Sequence, residues 1–452
     1  MTIILTEENK LDIYNDVIDC DNESIYAVIY TRGVTLGSYI GEASFFEVFN
    51  YIQEIYNIRD VFLIGYSGAG AGALALAQNY PGLFSGIVSI SGLCNGKYLG
   101  NLNHVPLMVF SSYGTDILYY NVLVKPFKRL KEISNFKSVL PDKLTHRELM
   151  YYIYHPSIYK GIRNTNCSKE PFEFEFFTER NRYRRAYYIE IDYIPIGKTY
   201  SKLKIKYVNG TFIISTWNIT GILIILPSFV DRNRFKIEIN SKLFEFTNYN
   251  QKSIYFYKYK KKYFFSEENS NQNRISYKGI GMLDVFFDRL IILKPNAIDE
   301  NVNKISNNFS SPQTNGEDPR IKICYPIQNI GNLALSSNSN YVIFDNLICK
   351  DYYELRDRLS IKCVKNYFIY KEKKYVGEYC VMQILPNPLN NKFSILQISY
   401  NNSKLLNKIL FLRKIVLPAF CNKIHPYWNN EALIFYQNKY YTLYEFDNHL
   451  II

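Results

Sequence analysis

Val61-Phe-Leu-Ile-Gly-Tyr-Ser67-Gly-Ala-Gly-Ala-Gly-Ala-Leu-Ala-Leu-Ala77 is the stretch on which the fold turns. Val61 to Ile64 is a short apolar run with β character, and the Ala/Leu segment beyond Gly70 has high helix propensity. Between them, Gly65-Tyr66-Ser67-Gly68-Ala69-Gly70 must redirect the chain sharply. A strand, a Gly-flanked turn centred on Ser and a helix together form the nucleophile-elbow pattern. Strand and helix backbones nearly touch in such a turn, so its flanking residues must be small. The serine hydroxyl then stands exposed at the carboxyl end of the sheet. The Gly68 N–H falls at the helix start, aimed where negative charge would develop. Two residues after Ser67 the pattern usually has Gly; here it has Ala69, whose methyl group can fit.

The rest of the 452-residue chain is long enough for two or three domains, and its 47% hydrophobic content suits a folded protein with real cores. Its 42 tyrosines, with plentiful Lys, Asn and Ile, partly reflect an A+T-rich coding bias, so single Tyr and Lys residues carry little information. The net charge of +12 is spread along the chain without a recognition motif, which argues against nucleic acid as a partner. The eight cysteines are scattered and none lies in a CxxC pair, so no zinc or redox motif is present and no metal or cofactor is expected. The N-terminus lacks the charged and apolar regions of a leader peptide. No run approaches the ~20 apolar residues of a membrane span. A cytoplasmic protein is the expectation, and nothing in the sequence bears on oligomeric state.

Residues 1–160 read as alternating strands and helices. Apolar strands are expected at Thr2–Leu5, Ile25–Tyr30, Val61–Ile64, Gly86–Ser91, Val105–Phe110 and near Phe136–Leu140, with helices at Glu42–Tyr56, Gly70–Asn79 and Lys125–Ile133. Buried strands alternating with helices imply a parallel sheet covered on both faces. From about residue 165 the pattern becomes short alternating segments, with Asn209-Gly210 a strong hairpin signal. Beyond a polar Asn-rich break at 266–273, weaker signals mark strands at Leu290–Leu293, Tyr341–Phe344 and Phe393–Ile398 and helices at Tyr352–Leu359 and Leu405–Leu412. The resulting organisation is a parallel-sheet α/β core at 1–165, a β-rich antiparallel module at 166–270 and a smaller α/β region at 271–452.

A serine nucleophile needs a base, and the base needs an orienting carboxylate. For an elbow of this kind the chain order is Ser, then acid, then His. Five histidines make the search short. His104 precedes a strand, at the amino side of the sheet, and His425 and His449 are distal. His146, in what reads as a polar loop, Asp142-Lys-Leu-Thr-His146-Arg-Glu-Leu149, and His155, before Pro156, both follow the last core strand. His146 is the favoured base and His155 the alternative. The acid falls after the Val105–Phe110 strand, in Ser111-Ser-Tyr-Gly114-Thr-Asp116, making Asp116 the candidate and Asp142 the spare. The second oxyanion donor belongs to the loop after the Thr2–Leu5 strand. That loop reads Thr6-Glu7-Glu8-Asn9, which puts the donor at Thr6 beside two carboxylates.

Tyr30-Thr-Arg32-Gly33, Gly41-Glu42 opening a helix, Glu54-Ile-Tyr-Asn-Ile58, the elbow and Tyr80-Pro81-Gly-Leu-Phe84-Ser-Gly86 together resemble the α/β-hydrolase domain of prolyl-oligopeptidase-type serine peptidases and esterases. Phe177-Thr178-Glu-Arg-Asn-Arg-Tyr183 with Tyr187-Tyr188, Met282-Leu-Asp284-Val-Phe-Phe287 and Asn387-Pro-Leu-Asn390 are similar to segments beyond that domain in some bacterial members. The resemblance starts at the strand before the oxyanion loop, so it describes a trimmed form, with Thr6-Glu7 where the family has His-Gly. It implies an α/β-hydrolase fold and hydrolysis of an ester or peptide substrate through Ser67, Asp116 and His146, with Gly68 as oxyanion donor. The departures at Thr6-Glu7 and Ala69 leave a second expectation: a catalytically inactive hydrolase-like protein that binds a peptide or protein. A third, a surface-associated module using the basic charge, has the least to recommend it.

Overall fold

The computed structural model describes residues 1–6, 25–30, 39–92, 96–111, 136–139, 144–154, 158, 161–162, 167–179, 183–191, 200–259, 262–266, 290–294, 300–304, 321–326, 340–344, 361–364, 366–386, 394–409 and 432–442. The chain divides into two compact units, Met1–Ile275 with Leu417–Asn422, and Ser276–Val416 with Lys423–Ile452.

The first unit begins with strands β1 (Thr2–Thr6), β2 (Tyr26–Tyr30), β3 (Phe62–Tyr66), β4 (Gly86–Ile90), β5 (Leu107–Phe110) and β6 (Phe136–Val139). They form one sheet in the order β2-β1-β3-β4-β5-β6, with every pair parallel. Helix α1 (Tyr39–Ile55) precedes β3, and α2 (Gly68–Asn79) follows it at once. Because β3, β4 and β5 lie mid-sheet, both faces are covered and their sequences are nearly continuous apolar runs. Alternate residues serve opposite faces. Ile3, Leu63, Ile87 and Val109 pack with Phe45 of α1 and Leu74 of α2. Ile4, Ile64, Val88 and Phe110 pack on the other side with Leu149 and Ile153. This strand order, with the serine turn directly after the third strand of the row, is an α/β-hydrolase core.

Residues 173–266 form a β-sandwich in the same compact unit. Its strands are β7 (Glu173–Thr178), β8 (Arg185–Ala186), β9 (Ile189–Ile191), β10 (Ser201–Val208), β11 (Thr211–Trp217), β12 (Gly221–Ile225), β13 (Arg234–Ile239), β14 (Lys242–Thr247), β15 (Ser253–Tyr259) and β16 (Lys262–Ser266). The two sheets run β14-β13-β11-β10-β7 and β16-β15-β12-β9-β8. Strict alternation along β10 and β11 sends Leu203, Ile205, Phe212 and Ile214 inward, as a half-buried strand requires. Pairing is antiparallel except between β11 and β13, which run parallel because the chain crosses to the other sheet as β12 in between.

Two buried polar ties join sandwich to core. Asn101, 2% exposed, lies in the 3-10 turn Gly96–Leu102. Its Nδ2 donates to the carbonyls of Gln78, at the end of α2, and of Phe177 in β7, while its Oδ1 accepts from the Phe177 N–H at 2.9 Å. Glu42, in the first turn of α1, is 5% exposed and accepts from Tyr80 Oη at 2.5 Å and from Tyr183 Oη at 2.6 Å.

The second unit is built on a mixed sheet of β17 (Leu290–Lys294), β18 (Ile321–Pro326), β19 (Asn340–Phe344), β23 (Tyr379–Pro386), β24 (Ser394–Tyr400), β25 (Ala432–Tyr436) and β26 (Lys439–Thr442), in the order β18-β17-β19-β24-β23-β25-β26. The first four strands of the row are parallel and the rest antiparallel. The same unit holds a three-stranded meander, β20 (Ile361–Val364), β21 (Tyr367–Tyr370) and β22 (Lys373–Val376). The helix expected at Leu405–Leu412 is a 3-10 turn, Ser403–Leu405, running into a helix at Leu406–Ile409. The helices expected at Lys125–Ile133 and Tyr352–Leu359 lie outside the described residues.

Candidate active site

Strand β3 ends at Tyr66, and α2 begins at Gly68. Ser67 between them takes φ 55° and ψ −121°. A non-glycine residue in such a conformation costs about 1–3 kcal/mol and persists only where its surroundings over-determine it. Here they do. The Ser67 N–H donates to the Ile90 carbonyl at 2.8 Å, and its carbonyl accepts from Ala71 at 3.0 Å, the first bond of α2. A Cβ on Gly65 would stand 2.3 Å from the Ala69 carbonyl oxygen, and one on Gly92 would stand 2.3 Å from the Gly70 carbonyl carbon. Strand, turn and helix are thus in backbone contact, and Ser89 Oγ pins the helix by donating to the Gly70 carbonyl at 3.1 Å. Ala69, 1% exposed, is accommodated in this packing.

The Ser67 side chain does not cap α2, although a serine at that position commonly does. Its Oγ lies 3.1 Å from His146 Nε2 instead, within the reach a general base requires. His146 is the first residue of a four-residue helix, α3 (His146–Leu149), rather than part of a loop. A capping box starts that helix. Thr145 Oγ1 accepts from the Glu148 N–H at 3.2 Å, and the Glu148 carboxylate accepts from the Thr145 N–H at 2.6 Å. Hydrogen bonding to the carboxylate by the Thr145 backbone N–H, and next by its side chain, holds the Glu148 carboxyl below the usual carboxylate range. Leu149, fully buried, anchors α3 to the sheet face formed by Ile64 and Val88. Burial of such a side chain contributes about 2 kcal/mol. From beneath, Tyr66 Oη donates to the His146 carbonyl at 2.7 Å.

Gly68 is buried at the N-terminus of α2, where the first N–H groups have no partner within the helix and the dipole is positive. Thr6 is the last residue of β1, beside β3 in the sheet. Asp116, the spare Asp142, the alternative base His155, and Glu7 and Glu8 lie outside the described residues. His104 stands before β5, at the amino side of the sheet, with its ring 6.0 Å from that of Tyr187; burial lowers its pKa. Among the described residues, no group of three or more His, Cys, Asp or Glu could hold a metal ion, and no helix is long and apolar enough to cross a membrane.

The arrangement can move the Ser67 proton to an imidazole and place a reacting carbonyl at the mouth of a helix N-terminus. Tyr66, one residue before the serine and in contact with His146, has no signal in the motif itself; only the structure brings it in. The chain matches no protein-family model and no curated protein. Among solved structures it is similar to a thermostable esterase (12% identity, TM-score 0.32), to FphF, a fluorophosphonate-binding serine hydrolase of Staphylococcus aureus (14%, 0.29), and to the poly(3-hydroxybutyrate) depolymerase LpqC of Bordetella parapertussis (12%, 0.28). The matches cover 36%, 36% and 35% of this chain and 54%, 84% and 78% of those chains, so the chain spans about half of the thermostable esterase.

Proposed function

We propose that this protein is a serine hydrolase of the esterase or peptidase type, related to the prolyl-oligopeptidase group, that works through an acyl-enzyme at Ser67. The observation that carries the reading is the 3.1 Å approach of His146 Nε2 to a serine Oγ held at positive φ on a strand-to-helix turn. His146 takes the Ser67 proton as Oγ attacks the substrate carbonyl, and returns it to the departing alcohol or amine. Water then attacks the acyl-enzyme by the reverse route. Asp116 is the acid that orients the imidazole. The N–H groups of Gly68 and Thr6 receive the oxyanion, each worth about 3 kcal/mol in the transition state.

The reading is tested with a fluorophosphonate probe on the folded protein, the modified peptide being mapped by mass spectrometry. The label should fall on Ser67. Ser67→Ala should lose it, with ester hydrolysis falling as much as about a millionfold. A second reading is a catalytically silent scaffold that binds a peptide or protein. It is favoured by Glu7 and Glu8, which follow Thr6 where a loop stabilising negative charge should be. Absence of label on the folded protein at every pH from about 6 to 9 would select it.

A further inference from the structure

The segment that carries the base has little stability of its own. Helix α3 has four residues and runs directly into a 3-10 helix, Met150–Tyr154; even together they are shorter than a helix that persists alone in water. The capping box holds its entry from the solvent side, where Thr145 and Glu148 are exposed. Leu149 anchors its last residue. His146 itself is met from the elbow strand by Tyr66. The phenol donates to the His146 carbonyl at 2.7 Å, and its ring lies 5.0 Å from the imidazole, tilted by 37°. One side chain therefore touches both the backbone and the ring of the base. Tyr66 is also rigidly placed. It is the last residue of β3, paired with Ile90 of β4, and its ring packs against the cluster that contains Leu149.

We propose that Tyr66 is the positioning residue for His146: it ties the base to the strand that carries the nucleophile, so that Nε2 and Ser67 Oγ share one frame. The inference rests on the hydrolase reading above. The Nε2–Oγ separation of 3.1 Å is near the outer limit of hydrogen-bond reach, so a small drift of the base breaks it. Misplacement by about 1 Å can cost on the order of a hundredfold in rate.

Tyr66→Phe keeps the ring and removes only the donor. With p-nitrophenyl acetate, kcat should fall about tenfold while KM stays within about twofold, and fluorophosphonate labelling should slow in parallel. The role acts through His146, so in a His146→Ala background Tyr66→Phe should change the residual rate by less than about twofold. Equal losses in both backgrounds, or a rise in KM with kcat preserved, would overturn the proposal. A readout independent of activity separates its failure from that of the hydrolase reading. In protein labelled with 13C-histidine, the Cε1–H signal of His146, assigned by its loss in His146→Ala, should shift or broaden in Tyr66→Phe. If that signal is unchanged, the positioning role is wrong even when wild type is labelled at Ser67. If it moves while wild type takes no label, the positioning geometry stands and the hydrolase reading falls.

Discussion

The glycines of the elbow are constrained by neighbouring backbone more than by side chains. Gly65 shows this most sharply, since a methyl group there would overlap the Ala69 carbonyl. Gly65→Ala must therefore push α2 off the strand. The expected result is a loss of about 3 kcal/mol in stability and of most Ser67 labelling, read by denaturant unfolding and probe kinetics on the same sample. A variant that keeps both would show that the turn is looser than its geometry. This part of the site is legible in the sequence because the elbow is local: glycines, serine and apolar strand follow one another within ten residues. For the partner of Ser67, the sequence narrows the choice to His146 and His155, because few histidines follow the last core strand. Tyr66 cannot be anticipated. It is one of 42 tyrosines, and its bond spans 80 residues, a distance over which no local pattern operates.

At the scale of elements, α3 is the weak member and its cap the point of control. Thr145→Ala removes the acceptor for the Glu148 N–H and should cost about 1 kcal/mol locally. Global stability should fall less than activity does, since Leu149 still holds the far end of the helix. Comparing the melting temperature with the labelling rate checks this; equal proportional losses would mean that α3 matters to folding rather than to the placement of His146. The other half of the cap is ionic. The Glu148 carboxyl has its pKa lowered by Thr145, so its contribution is present above the ordinary glutamate range and is lost as pH falls through the depressed value. Elements were readable in the sequence where they were continuously apolar, as β3, β4 and β5 are. Strands β14 and β16 were not. In Lys-Leu-Phe-Glu-Phe-Thr and Lys-Tyr-Phe-Phe-Ser, charged ends and short length dilute the alternation, and only pairing with β13 and β15 makes strands of them. Helix α1 begins at Tyr39 rather than Glu42, because a helix's first turn need not share the apolar period of its buried face.

For the first compact unit as a whole, core and sandwich are tied by shared buried polar groups. Tyr183→Phe withdraws a donor from the buried Glu42 carboxylate, and Asn101→Ala orphans the Phe177 N–H and two carbonyl contacts. Each should destabilise the unit by about 2–3 kcal/mol, and unfolding watched at the sandwich and at the elbow should shift together. A transition that splits in either variant would show that the two parts fold independently. These long-range ties were beyond the reach of the sequence. It shows where apolar runs and turns lie, but not which asparagine, among many, meets a strand 76 residues away.

The Asn101 tie has a further consequence. Strand β7 is the edge of its sheet, paired only with β10 among the described strands. At Phe177 the amide of Asn101 binds both the N–H and the carbonyl, as a neighbouring strand would. The hydrolase core thus caps a strand edge that could otherwise recruit a second copy. A sandwich cut free of the core would present that edge bare, and edge-to-edge association, the usual hazard of an open strand, is what its behaviour in solution should reveal.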